Sequence, residues 1–264
     1  MQLSPLDITL VEAMGEHAVP AALGLARLLT CFAWLPYLAG GVLPSRLLRV
    51  VLALVVLVGL WPVTEGVVRP PDLAGLAWAA LREVVVGSIL GLMLALPYHV
   101  FHALGALVDT QRGAGVGAML DPLSGVEATE LANLLQLMSA VVFLVAGGLL
   151  PLLQAVQGSY RLVPMGAAFL PDLPGVHSFV DLVLSAALRM AAPVLLLLFL
   201  VELALGVLSR FAQQLNAFSV ALAMKSLLAF AALLLYLLPL MTTQVPALWR
   251  LYPPLRGLLP GVPP

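Results

Sequence analysis

The chain has 264 residues, 62% of them hydrophobic and 9% charged, with a mean hydropathy of +1.09, well beyond the roughly 45–50% apolar content of a soluble domain. Twelve basic and thirteen acidic side chains nearly cancel, which leaves no basic excess for nucleic acid or a polybasic lipid anchor. Cys31 is the sole cysteine, so an intrachain disulfide and any multi-cysteine metal site are excluded.

The N-terminal stretch Met1 to His17 is acidic and has no short apolar core ahead of a cleavage site, so no removable signal peptide is expected. A first apolar segment runs from about Ala18 to Val42, interrupted by Arg27 and Pro36, and is long enough to span, since roughly 20 apolar residues cover the hydrocarbon. A second follows from about Leu47 to Val63, with Arg49 near its start. Pro70, Pro71 and Asp72 then break the chain. The third segment, about Leu73 to Val108, is too long for one simple span, and Arg82 and Glu83 are expected to divide it while Pro97 bends it. Gly87 and Gly91 stand four apart on one helical face, a small-xxx-small pattern that lets helices approach closely.

Asp109 to Gly125, DTQRGAGVGAMLDPLSG, interrupts the apolar chain with four glycines, two aspartates and Arg112. It lacks the periodicity of a lipid-facing helix and is expected to be an ordered loop or a broken helix. Such backbone persists beside membrane-depth segments only where protein buries it or it lines a watery cavity. A fourth apolar segment covers about Leu131 to Val156, and Gly158 to Ser178 reads as an irregular connection. The fifth, about Phe179 to Leu208, carries Arg189, Pro193 and Glu202; the sixth, about Ala217 to Val245, carries Lys225. With the polar hinge Ser209 to Asn216 between them, these last two form an expected antiparallel helical hairpin.

Alternating the segments across a membrane puts Arg46, Arg49, Arg112, Arg210 and Lys225 on one side and Arg69, Arg82, Arg161, Arg250 and Arg256 on the other. The positive-inside rule therefore gives a tie. Arg27, Arg189, Glu202 and Lys225 fall within apolar segments, where a charge at a helix centre costs about 2.5–3.5 kcal/mol on insertion scales. They are expected to face protein or water, or to snorkel. Asp109, Arg112 and Asp121 either serve the loop's function or hydrogen-bond locally with an internal ion pair. His99 and His102, with Asp109 downstream, offer a weak metal constellation, but no HExxH, Walker A, GxGxxG or GxSxG sequence is present. The residues give no reason to expect an enzyme or a cofactor.

Four stretches resemble the T subunit of the type III secretion export gate, the SctT family with its flagellar relative FliR. They are RLLTCFAWLPYLAGGVLPSRLLR at Arg27 to Arg49, Val108 to Gly125, Phe143 to Gly166 with AGGLLPLLQAVQGSYRLVPMG, and RFAQQLNAFSVALAMKS at Arg210 to Ser226. They occur in the family order, and Asn216 to Phe218 followed by Lys225 and Ser226 resembles the virulence injectisome branch more than the flagellar one. A departure is Ala223, where relatives often carry proline.

The resemblance implies an all-α membrane protein of about six long, proline- and glycine-broken helices, packed as hairpins into a hetero-oligomeric helical gate. It implies a non-enzymatic inner-membrane subunit, multi-pass and partly raised towards the periplasm, that joins R and S subunits and the switch protein SctU around a channel for unfolded polypeptides. Residues 1–178 would form an R-like part and 179–264 an S-like hairpin and tail. Asp109, Gln111, Arg112, Gly113, Gly115, Gly117, Met119, Asp121 and Pro122 would belong to a plug-type loop. Gln213, Gln214, Asn216 and Lys225 would lie near the substrate entrance or a partner. Arg27, Arg49, Arg189 and Glu202 would be intramembrane or interface charges, with lipid as the remaining contact. The competing reading is a small-molecule secondary transporter in which Glu202, Arg189 and the Asp109 loop form a midplane site; an intramembrane protease using Asp109 and Asp121 lacks a recognisable motif.

Overall fold

The computed structural model describes residues 5–38, 46–60, 72–114, 130–166, 173–211 and 217–250. Among these the fold is all-α, with no strand and eight helices. They are α1 (Pro5–Trp34), α2 (Arg46–Gly59), α3 (Leu73–Leu94), α4 (Leu96–Arg112), α5 (Glu130–Val145), α6 (Leu149–Leu162), α7 (Leu173–Phe211) and α8 (Ala217–Arg250).

Local chemistry explains where they start and stop. The Asp72 carboxylate accepts from the Gly75 N–H at 2.9 Å, an N-cap that starts α3 just after the two prolines. The third apolar segment breaks at Ala95, not at Arg82 and Glu83 as the sequence implied; both of these lie inside α3. Pro97 sits in the first turn of α4, where a missing N–H has no helical acceptor to lose. The fourth segment is likewise two helices. Gly147 has φ +79, a left-handed conformation that L side chains avoid, and it separates α5 from α6. Helix α6 runs on to Leu162, so the irregular connection does not begin at Gly158, and α7 is already helical from Leu173.

The helices fall into two compact units. In the first, α1, α2, α3 and α6 assemble around Leu28, Leu35, Leu90 and Leu94, each at most 1% exposed. The small-residue face of α3 lies directly on α1: a Cβ on Gly91 would stand 2.5 Å from the Cys31 carbonyl oxygen, and one on Gly87 would collide with the backbone of Arg27. Helix α2 covers the neighbouring face of α1, with Leu57 filling the space over Gly24.

The second unit holds α4, α5, α7 and α8. Gly105 lets α4 meet the first turn of α5, since a Cβ there would lie 2.5 Å from the Ala132 Cα. Further along this contact Tyr98 and Phe143 pack edge to face at 5.8 Å. Helices α7 and α8 run antiparallel, as the hairpin reading required. Glu202 meets Lys225 towards one end, while Leu182 and Leu248 line a common groove at the other.

Among the described residues three helices are long and apolar enough to cross a bilayer: Leu73–Leu94, Val180–Phe211 and Val220–Leu248. Large apolar side chains stand in the open along them and on α2, among them Leu47, Leu196, Phe199, Leu203, Leu234 and Leu235.

Candidate functional site

Two charged networks organise the two units. In the first, Arg27 of α1 is fully buried, at 0% exposure, and its Nε donates to Glu83 Oε2 of α3 at 2.6 Å. Its Nη1 donates to the Ser159 carbonyl at 3.1 Å and to Ser159 Oγ at 3.4 Å, and its Nη2 to the Val163 carbonyl at 2.9 Å. The guanidinium also lies over the Tyr160 ring, 4.5 Å from its centroid. Tyr160 in turn donates its hydroxyl to the Gly24 carbonyl at 3.0 Å. The other Glu83 oxygen, Oε1, accepts from the Gly166 N–H at 3.2 Å. One arginine thus fastens α1 to α3, to the end of α6 and to the chain beyond it. Arginine suits the task because its planar fork supplies five donors.

The second network corrects the extent of the polar loop. Asp109 to Arg112 form the last turn of α4, and non-helical backbone begins only at Gly113, with φ +83. Asp109 is 1% exposed. Its Oδ1 accepts from Arg112 Nε at 2.8 Å and pairs with Arg112 Nη2 at 2.7 Å. Its Oδ2 accepts from the Leu131 and Ala132 N–H groups at 3.1 and 3.4 Å. The carboxylate therefore caps the first turn of α5 from another helix, where unsatisfied N–H groups and the helix dipole favour an anion. The helix continues through Asp109 because its charge is spent on that cap. Arg112 also stacks over Phe230 of α8 at 5.2 Å. Gly113 faces Leu222 of the same helix, whose Cδ2 would be 2.5 Å from an added Cβ.

Asp109→Ala should lower stability by about 1–3 kcal/mol, combining a lost cap with an orphaned arginine, whereas Asp109→Asn should lose about half as much because an amide oxygen still accepts. Unfolding of the membrane-extracted chain in mixed micelles measures both, and equal losses would refute the capping role.

The remaining charges do not converge on either network. Glu202 and Lys225 pair with each other at 3.0 Å, Lys225 11% exposed and Glu202 56%. Arg189 is exposed and donates from Nε to the Ser185 carbonyl one turn back, at 3.1 Å. Arg49 is half-buried in the first turn of α2, and its Nε has no hydrogen-bond partner among the described residues. Gln111 is half-buried in the last turn of α4. Gly115, Gly117, Met119, Asp121, Pro122, Gln213, Gln214 and Asn216 lie outside the described residues. Among the described residues no three His, Cys, Asp or Glu side chains gather as metal ligands.

Sequence reasoning singled out Arg27 but missed Glu83, Ser159 and Tyr160. The only available signal was Glu83 itself, an acid in an otherwise apolar run that required a cation somewhere.

Long apolar helices, charges buried in pairs and wide apolar faces define the class: a multi-pass helical membrane protein. The family described as "Bacterial export proteins, family 1" matches residues 18–251, and the chain belongs to it. It is 40% identical over 225 residues to the surface presentation of antigens protein SpaR of Salmonella typhimurium, covering 85% of each chain. It is 29% identical over 246 residues to the Yop proteins translocation protein T of Yersinia pestis, covering 89% of this chain and 92% of that one. The flagellar biosynthetic protein FliR of Bacillus subtilis matches at 29% over 162 residues, 59% of this chain and 62% of the other. The resemblance to the SctT and FliR family therefore holds, and the SpaR and Yop translocation relatives match over longer stretches than the flagellar one. The family consists of structural export components, so the chain is not an enzyme.

Proposed function

We propose that this chain is the T subunit of a type III secretion export gate of the injectisome branch. It would sit in the bacterial inner membrane, partly raised towards the periplasm, and form with R and S subunits the channel through which unfolded polypeptides leave. The observation that carries this reading beyond family membership is the Glu202–Lys225 pair. Glu202 is 56% exposed on a helix whose neighbouring Leu200 and Leu203 are also exposed. A carboxylate facing hydrocarbon is costly, so this part of α7 and α8 requires water or a protein partner against it. A hairpin packed beside other subunits around an aqueous passage supplies both.

In this proposal residues 1–178 are the R-like part and 179–264 the S-like hairpin and tail, and SctU binds on the cytosolic side. The loop that leaves α4 at Gly113 obstructs the closed channel, with Gly115, Gly117, Met119, Asp121 and Pro122. Gln213, Gln214, Asn216 and Lys225 border the substrate entrance. Nothing favours the transporter reading, because Asp109, Arg189 and Glu202 each have separate partners and surroundings.

The test is co-purification of the tagged chain from membranes that also express candidate R and S subunits, followed by native mass determination. A stable mixed complex of defined mass is expected. A monodisperse, intact chain running alone under the same mild detergent would overturn the proposal.

A further inference from the structure

Helices α7 and α8 are held apart by an open groove of about 340 Å³. Met190, Leu240 and Leu248 give it apolar walls, and Arg189, Tyr236 and Gln244 give it polar groups. Among the described residues no acidic side chain lines it, so its only formal charge is the Arg189 guanidinium. The Arg189 Nε is spent on the Ser185 carbonyl, which leaves the two terminal nitrogens of the fork for an acceptor. A site with one cation, an amide and a phenol, and no carboxylate, is complementary to an anion.

Position decides which anion. Both walls belong to helices long and apolar enough to span, Val180–Phe211 and Val220–Leu248, so in a bilayer that they cross the groove lies at the depth of lipid. Arg189 lies in the N-terminal half of α7. Its side chain turns back towards Ser185, which brings the charge about 6 Å nearer that end of the helix, as a snorkelling arginine does. Gln244 comes from the same end of the antiparallel partner, one turn from Leu248. Deeper in, the lining continues with Met190, Leu240 and the Tyr236 ring.

We propose that this groove holds one anionic phospholipid. Its phosphate would sit on Arg189 with Gln244 as a second donor, and one acyl chain would lie against Met190, Leu240 and Tyr236. Such a lipid would fill the gap between the two helices and set their spacing. A zwitterionic headgroup fits less well, because no carboxylate is present to receive its ammonium.

The proposal is tested on the full chain in nanodiscs of phosphatidylcholine containing a minor share of phosphatidylglycerol, released and weighed by native mass spectrometry. Preferential retention of one phosphatidylglycerol is expected. Arg189→Gln should reduce that retention about fivefold, the effect of removing one cation beside an anionic lipid, and Arg189→Lys should restore most of it. Met190→Trp, which fills the groove and leaves the charge, should abolish retention of either lipid. Unchanged helicity by circular dichroism shows that each variant has kept its fold. Equal retention of the two lipids, retention insensitive to Arg189→Gln, or a lipid still held by Met190→Trp would each overturn the site. The measurement uses the chain without R or S subunits, so its result does not depend on the export-gate reading.

Discussion

Replacing Arg27 with leucine should destabilise the first unit by about 3–5 kcal/mol, the largest effect expected of any single substitution away from glycine. The substitution leaves Glu83, 2% exposed, without its cation. It also strips the Val163 carbonyl of its donor, at a cost of about 1–3 kcal/mol where water does not reach it, while the Ser159 carbonyl loses Arg27 but keeps the Val163 N–H. Glu83→Gln should be milder, because the amide oxygen can still accept from Arg27 or from the Gly166 N–H, but its NH2 then faces the other donor and the guanidinium is left unneutralised. The double variant Arg27→Met, Glu83→Met separates charge from packing. An ion pair swapped for well-packed apolar side chains is often neutral, yet here the Val163 carbonyl remains orphaned, so only partial recovery is expected. A coupling energy above about 1 kcal/mol in the double-mutant cycle is the expected reading. Steady-state abundance in membranes and unfolding in mixed micelles supply the two measurements. Additive losses would show that the two residues act separately.

That network also marks what a sequence can disclose. An arginine in an apolar run announces that it must meet protein or water or snorkel, because the alternative is too costly. It does not announce its partner, which lies 56 residues away, since spacing along a chain identifies neighbours only within a helical turn or two. Glu83 adjoins Arg82, so the two look like a polar break. In the fold they diverge: Glu83 turns to Arg27, while Arg82 lies over Trp78 at 5.3 Å and reaches the Gly166 carbonyl. The same blindness set Asp109 at the start of a loop or broken helix, not in the last turn of α4. Its polarity was evident, but the N–H groups that it caps belong to residues 22 and 23 positions away. Signals that act locally were legible, namely the break at Pro70 to Asp72, the glycine at the end of α4 and the small-residue face of α3. The family was legible for a different reason, since four separate stretches had to appear together and in order.

Gly91→Val should prevent α1 and α3 from packing as they do, and Gly91→Ala should already cost about 1–3 kcal/mol. A Cβ at this position stands 2.5 Å from the Cys31 carbonyl oxygen and 2.8 Å from its Cα. Both obstacles are backbone and cannot turn aside as the end of a side chain would, so the helices themselves must separate. Separation would stretch the Arg27–Glu83 contact two turns away on the same pair of helices, and the loss should propagate into the ion pair. Gly158, with nothing within 4 Å of an added Cβ, is the matched control: Gly158→Ala should be neutral or slightly stabilising, because alanine is the better helix former. The decisive comparison places Gly91→Ala on the Arg27→Leu background. If the glycine contact holds the ion pair in register, the second substitution should cost less there than in the parent chain. Equal costs in both backgrounds would mean that the helix contact and the buried charges stabilise the unit independently.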